Sequence, residues 1–224
     1  MKFAIVIPAR KNSKSVKNKN RYIINGKPLI EYTLKQSLLS KVKLKFVITD
    51  DEKIKKIAKK YKFNTEYKRP KSTSTDKSST VETLIHFVRS TLDKYEYDYL
   101  IVLQPTSPLR ISKDIINSIK ILKNEKSLSL FSICKNTEHP YENIVIKKNK
   151  NWKYLFKEAS KFHRRQDYKL NPYFINGAIY IVSKNFLLKK RKIYSNKHSL
   201  YVMPKSRSLD INDLDDIEIA KKLL

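Results

Sequence analysis

The chain has 224 residues, 40% hydrophobic and 31% charged, with 49 Lys and Arg against 21 Asp and Glu for a formal net charge of +28. That length suits one sizeable folded domain; no apolar run approaches the roughly 18–20 residues that cross a bilayer, and the single cysteine, Cys134, excludes an internal disulfide. Only two glycines occur, Gly26 and Gly177, which excludes both a G-x-G-x-x-G dinucleotide fingerprint and a Walker phosphate loop.

Residues 2–8 read as a buried strand stopped by Pro8, too short for a secretory signal. A basic loop follows at 9–20. Pro28 to Leu39 has helical apolar spacing, Phe46 to Thr49 reads as a strand ending in Asp50-Asp51, and 52–61 reads as a helix with Ile54, Ile57 and Ala58 on one face. A polar loop at 66–80 precedes a helix from Thr80 to Leu92. Tyr99–Leu103 is a continuous apolar strand, Asp114–Leu122 a helix, and Ser129–Cys134 a strand that buries the cysteine. Residues 139–172 are less regular, with a hairpin expected around 144–156. Ala178–Val182 is a strand and 213–224 a terminal helix.

Strands alternating with helices predict an α/β fold built on a mostly parallel sheet with helices on both faces, in one domain spanning 1–224. In such sheets ligands bind beyond the carboxyl ends of the strands. The loops at 9–20, 50–51, 104–110 and 210–213 are therefore the first candidates.

The densest chemistry lies in the first of these. Arg10, Lys11, Lys14, Lys17, Lys19 and Arg21 follow the first strand directly, and Ser13 adds a hydroxyl. Fixed positive charges on one loop can cradle a triphosphate and neutralise a leaving pyrophosphate. They can also contact nucleic acid, or be a solvated basic surface. The lysines run from Lys2 to Lys222, so much of the +28 reads as a bias of the whole surface. No aromatic residue interleaves the basic loop, which disfavours single-stranded nucleic acid.

The stretch from Ala9 to Asn20 resembles the A-R-x-G-S-K-x-x-x-x-K-N signature of the acylneuraminate cytidylyltransferases, with Asn12 in place of the glycine. Asn25-Gly26-Lys27-Pro28-Leu29-Ile30 is similar to that family's N-G-K-P-L-I. Arg69-Pro70 with Ser74-Thr75-Asp76 and Ser78-Ser79-Thr80 resembles R-P-x-x-L-A-x-D-x-x-S-S. Leu103 to Arg110 reads L-Q-P-T-S-P-L-R without a change. Arg164-Arg165-Gln166, Asn176-Gly177-Ala178-Ile179-Tyr180 and Leu209 to Asp216 resemble three further blocks, all in family order.

The resemblance implies a fold like that of the nucleotide-diphospho-sugar transferases, with a small dimerisation insertion at 139–172. It implies transfer of CMP from CTP to the anomeric hydroxyl of a nine-carbon 2-keto sugar acid, of the sialic, legionaminic or pseudaminic type. Arg10, Ser13, Lys14 and Lys19 would hold the phosphates and carry catalysis. Asn20, Arg69 and Thr80 would contact the nucleoside. Gln104, Arg165 and Tyr180 would face the sugar acid. Against these roles, Tyr180 suits core packing and Thr80 a helix N-cap.

Magnesium is the implied cofactor. The family pattern offers two aspartates two residues apart, whereas this chain has Asp210 and Asn212, which bring one carboxylate and one neutral carbonyl oxygen. The expected partners are CTP, the sugar acid and a second copy of the chain, with no membrane and no nucleic acid, in the cytoplasm. The alternatives are an enzyme of the eight-carbon acid Kdo, an impaired homologue, or a basic nucleic-acid-binding protein.

Overall fold

A computed structural model describes residues 1–11, 13, 15–70, 79–137, 140, 144–149, 151–156 and 171–224, leaving aside the Lys148 side chain. Asn12, Lys14, Ser74, Thr75, Asp76, Ser78, Arg164, Arg165 and Gln166, named above, lie outside the described residues. In chain order the strands and helices are β1 (Phe3–Pro8), β2 (Ile23–Ile24), β3 (Lys27–Pro28), α1 (Leu29–Leu39), β4 (Leu44–Ile48), α2 (Glu52–Lys60), α3 (Thr80–Thr91) and β5 (Tyr99–Leu103). There follow α4 (Ser112–Glu125), β6 (Ser129–Lys135), β7 (Val145–Lys148), β8 (Asn151–Tyr154), β9 (Tyr173–Ser183), α5 (Lys184–Lys190), β10 (His198–Met203) and α6 (Leu214–Leu223).

Six strands form one sheet in the order β10-β6-β9-β5-β1-β4. β1 runs parallel to β4 and β5, β10 runs parallel to β6, and β9 is antiparallel to both its neighbours. The sheet is thus mostly parallel, with one reversed strand that the sequence pattern did not reveal. From β1 the chain crosses to β4 on one side and later to β5 on the other. The cleft above the ends of β1 and β5 is therefore a topological switch point, where such folds bind ligands.

Helices cover both faces. On one, Ile30, Leu34, Ile54, Ala58, Ile115 and Leu122 from α1, α2 and α4 pack against Ile5, Ile7, Val47, Ile101 and Ile179. On the other, Leu84, Phe87 and Val88 of α3 and Leu187 of α5 pack against Val6, Phe46, Leu100 and Val102. The central strands are apolar on both faces for this reason. A third cluster joins Val16, Ile24 and Leu29 to Ile211, Ile217 and Ala220, so α6 docks beside the loop that follows β1.

The caps explain where the helices begin. Asp51 accepts from the amides of Lys53 at 2.9 Å and Ile54 at 3.4 Å. Ser79, not Thr80, caps α3, accepting from the Glu82 amide at 3.1 Å; Thr80 is the first residue inside the helix. Asp213 and Asp216 cap α6 reciprocally.

β9 reaches back to Tyr173 through a bulge opposite β6. Gly177 supplies it with a φ of +73°, in the left-handed region that glycine tolerates. Ser132 stitches the bulge, donating to Asn176 Oδ1 at 2.6 Å and accepting from the Ile179 amide at 2.9 Å. The expected hairpin is present as β7 and β8, paired from Val145–Tyr154 to Lys148–Asn151. Cys134 is buried and free. No helix among the described residues is long and apolar enough to cross a membrane.

Candidate active site

A cavity of about 340 Å³ opens at the switch point, lined by Arg10, Ser13, Lys19, Asn20, Arg69, Thr80, Gln104, Asp210 and Asn212, with Pro8, Thr83, Pro105 and Thr106 completing the wall. Nine residues expected at the site from sequence therefore meet in one place. They come from loops after β1, before α3, after β5 and before α6, which is why no single stretch of sequence contains the site.

The floor is set by main-chain contacts. Ala9 donates to the Ile48 carbonyl at 2.9 Å, which continues β1 into the loop. Asn20 Nδ2 donates to the Arg10 carbonyl at 3.0 Å and holds the loop closed on itself. Arg21 pairs with the buried carboxylate of Asp51 at 2.7 Å, so it braces the loop from behind.

Lys19 is 8% exposed. Its ammonium donates to the carbonyl oxygens of Ile211 and Asn212, both at 2.9 Å. An ammonium has three donors, so one remains for a ligand. Burial pulls the Lys19 pKa down, the charges of Asp210, Asp216 and Asp213 oppose this, and Arg10 adds to the lowering. Burial likewise lowers the Arg69 pKa against the pull of Asp50, and Arg69 Nη2 donates to Thr83 Oγ1 at 3.3 Å. Arg10 acts electrostatically on both Lys19 and Arg69, so the three cations converge.

Asp210 faces them. Burial raises its pKa, opposed first by a hydrogen bond from Thr106 and then by the Lys19 charge. Its Oδ1 is buried with no hydrogen-bond partner among the described residues. Buried carboxylate oxygens are normally paired, so this one is a ready cation ligand. Asn212 lies beside it, its Nδ2 donating to the Asp210 carbonyl at 3.1 Å. Among the described residues no three His, Cys, Asp or Glu side chains form a metal cluster. The set fits magnesium only in its phosphate-sharing mode, in which one or two protein ligands suffice. Asp213 and Asp216 are spent on the α6 cap.

Gln104 lines the cavity at the end of β5, beside which β9 runs. Thr106, unremarked in the sequence beyond its motif, stands between Gln104 Oε1 at 3.4 Å and the Asp210 carboxylate. Ile211 donates to the Thr106 carbonyl at 2.8 Å, locking the two loops together. Of the two expected roles for Tyr180 the structure shows the packing one: its ring lies against the second core cluster and it is not among the residues lining the cavity, although a Cβ built on Gly177 would come within 4.0 Å of its hydroxyl and 3.8 Å of Asp210 Oδ2. Burial pushes the Tyr180 phenol up, helped by Tyr194 and Asp210. Arg110, at the end of the L-Q-P-T-S-P-L-R stretch, is buried outside the cavity lining, and its Nη1 donates to the Gln104 carbonyl at 3.2 Å.

The chain resembles known proteins along nearly its whole length. A family model described as cytidylyltransferase matches residues 4–219. N-acylneuraminate cytidylyltransferase of Escherichia coli is 32% identical over 98% of this chain, which spans about half, 51%, of that relative. Pseudaminic acid cytidylyltransferase of Campylobacter jejuni is 31% identical, with 100% of this chain and 96% of the relative covered. Among solved structures, a CMP:2-keto-3-deoxy-manno-octonic acid synthetase complexed with CTP superposes with a TM-score of 0.74 over 100% of this chain and 98% of its own, at 17% identity, which speaks to the fold alone. With cations, a carboxylate and the motif residues gathered at the switch point of that fold, and the family model matched from the first strand into the last helix, the chain belongs to the cytidylyltransferase family.

Proposed function

We propose that this protein transfers CMP from CTP to the anomeric hydroxyl of a nine-carbon 2-keto sugar acid and releases pyrophosphate. The observation that carries the reading is that one cavity is lined by Arg10, Lys19 and Arg69 together with Asp210, Asn212 and Gln104. Curated relatives named for N-acylneuraminate, pseudaminic acid and diacetyllegionaminic acid support the acceptor class.

In this reading the triphosphate lies over the loop after β1, and Asn20, Arg69 and Thr80 contact the nucleoside. The acceptor oxygen bonds to the α-phosphorus as the bond to the pyrophosphate oxygen breaks, and the hydroxyl proton is released to solvent. Arg10, Ser13 and the remaining Lys19 donor stabilise the charge that moves onto pyrophosphate. Gln104 donates and accepts to sugar hydroxyls, and Tyr180 borders the acceptor. Asp210 Oδ1 and Asn212 would hold magnesium, which supplies Lewis-acid neutralisation of phosphate charge when bound. Lys14 and Arg165 complete the proposed phosphate and sugar-acid sets from outside the described residues.

The active form in this reading is a cytoplasmic homodimer. Trp152 and Tyr154 on the hairpin, Tyr173, Phe174 and Ile175 on β9, and Leu200 and Val202 on β10 are exposed apolar groups that a second copy would cover. The buried free thiol of Cys134 suits a reducing compartment.

The test is pyrophosphate release from CTP with sialic, legionaminic and pseudaminic acids and Kdo, each with and without magnesium. Metal-dependent release with a nine-carbon acid is expected. Release with Kdo alone, or none with any acid, overturns the reading. Light scattering of the same preparation reports the dimer.

A further inference from the structure

Arg110 lies among the most buried side chains of the molecule, 1% exposed. Its Nη1 donates to the carbonyl oxygens of Ala178 at 2.7 Å and Gln104 at 3.2 Å, and its Nη2 to Thr33 Oγ1 at 2.7 Å. Its Nε has no partner among the described residues. Asp114 acts on it only as a secondary electrostatic influence and is itself bound to Arg207 and Tyr201.

An arginine held this way is a poor choice for stability alone. A buried cation without a bonded carboxylate carries a desolvation cost that an apolar side chain of similar volume avoids. Burial accordingly pulls its pKa down to about 10, which still leaves it charged at neutral pH. What the planar fork achieves, and a hydrophobe cannot, is to hold three segments at once, through two backbone carbonyls and a threonine hydroxyl. Those three are the residue that begins the wall loop after β5, the residue after Gly177 in the β9 bulge, and the middle of α1. All three hydrogen bonds run to the acceptor half of the site or its support, and none of them to the phosphate loop.

We propose that Arg110 is the positioning residue of the acceptor half: its guanidinium sets Gln104 and the Gly177–Tyr180 stretch of β9 at the separation that a sugar acid requires. This rests on the transferase reading above. Arg110 does not touch substrate; it acts through Gln104 and Tyr180, and it leaves the nucleotide half to Lys19 and Asn20.

The experiment compares wild type with Arg110→Met and Arg110→Lys. It measures melting temperature, kcat, KM for the sugar acid, KM for CTP, and amide hydrogen exchange at residues 104–107 and 178–180. Arg110→Met is expected to fold with a lowered melting temperature, because the Gln104 and Ala178 carbonyls and the Thr33 hydroxyl each lose a donor. Its KM for the acid should rise about tenfold while that for CTP stays within about twofold, with faster exchange confined to the two named segments. Equal changes in both KM values, or in neither, overturn the proposal. If the Met variant fails to fold, the Lys variant decides on the same split, since it keeps the charge and loses the fork. If wild type releases no pyrophosphate with any acceptor, the transferase reading fails on its own. The exchange comparison then still decides Arg110: protection lost at both segments supports its positioning role, and unchanged protection removes it.

Discussion

The ammonium of Lys19 donates to the carbonyl oxygen of Ile211 at 2.9 Å, across 192 residues of sequence. With its second bond to Asn212, it ties the loop after β1 to the loop that carries Asp210. Lys19→Met keeps most of the stem and strips the donors, leaving two carbonyls without partners at a cost of about 1–3 kcal/mol. Turnover should fall about 100-fold, because a cation at the leaving group is also lost. Urea unfolding and pyrophosphate release measure the two effects separately. Turnover close to wild type would remove Lys19 from the mechanism.

Asn212→Asp should lower the magnesium concentration needed for half-maximal turnover, by roughly threefold to tenfold, because it adds a second charged oxygen ligand beside Asp210. A magnesium titration of both proteins reads this directly. An unchanged requirement would mean that Asn212 lies outside the ion's ligand set.

Gly177→Ala tests whether space or backbone matters in the β9 bulge. The new Cβ would meet Asp210 Oδ2 at 3.8 Å, an ordinary contact, whereas the φ of +73° is strained for any side chain. Backbone strain therefore dominates, and the expected loss is about 1–2 kcal/mol. Chemical denaturation should show that loss, with a weaker effect on CTP affinity than on acceptor affinity.

Asp114 is fully buried, and it bonds Arg207 at 2.7 and 3.0 Å and Tyr201 at 2.8 Å. Burial alone would raise its pKa, but these bonds and the Ile111 amide outweigh that and lower it. The folded pKa lies below the unfolded one. The stability it contributes is therefore fully present above the unfolded value of about 3.9 and is lost as pH falls through the folded value. Asp114→Asn should cost about 3 kcal/mol at pH 7, the low end for a broken buried pair because Arg207 is partly exposed. The gap to wild type should narrow below about pH 4. A gap that stays constant across the acid range would contradict this account of the pair.

Where the pattern was regular, the sequence was legible. The continuous apolar run Tyr99–Leu103 is a strand to the residue, and the periodic stretches after Pro28 and Asp51 are helices within a residue or two. β10 escaped notice because its inward positions Ser199 and Tyr201 are polar, while outward Leu200 and Val202 are apolar, which inverts the usual alternation. α5 is too short to show a period. The Asn176-Gly177 pair reads as a break but is a bulge inside a long strand, so β9 was expected to start at Ala178 and not at Tyr173.

The candidate site was legible through its charged and motif residues. Nine of those named from sequence line the cavity. The partners of Lys19 and Arg110 were not legible, because both cations bind backbone carbonyls, and any residue type offers one of those. Ser79, rather than Thr80, caps α3 because a cap sits one residue before the first helical amide, and both residue types fit that position.

The third core cluster carries a consequence for synthesis. Val16, Ile24 and Leu29 find their apolar partners in Ile211, Ile217 and Ala220, and Asp210 and Asn212 sit on the same returning segment. A nascent chain on the ribosome can close most of the sheet while the cavity still lacks one wall. Nucleotide binding should therefore appear abruptly, once α6 has emerged and docked, so an arrested translation intermediate that stops before Ile211 should be folded in its strands yet blind to CTP.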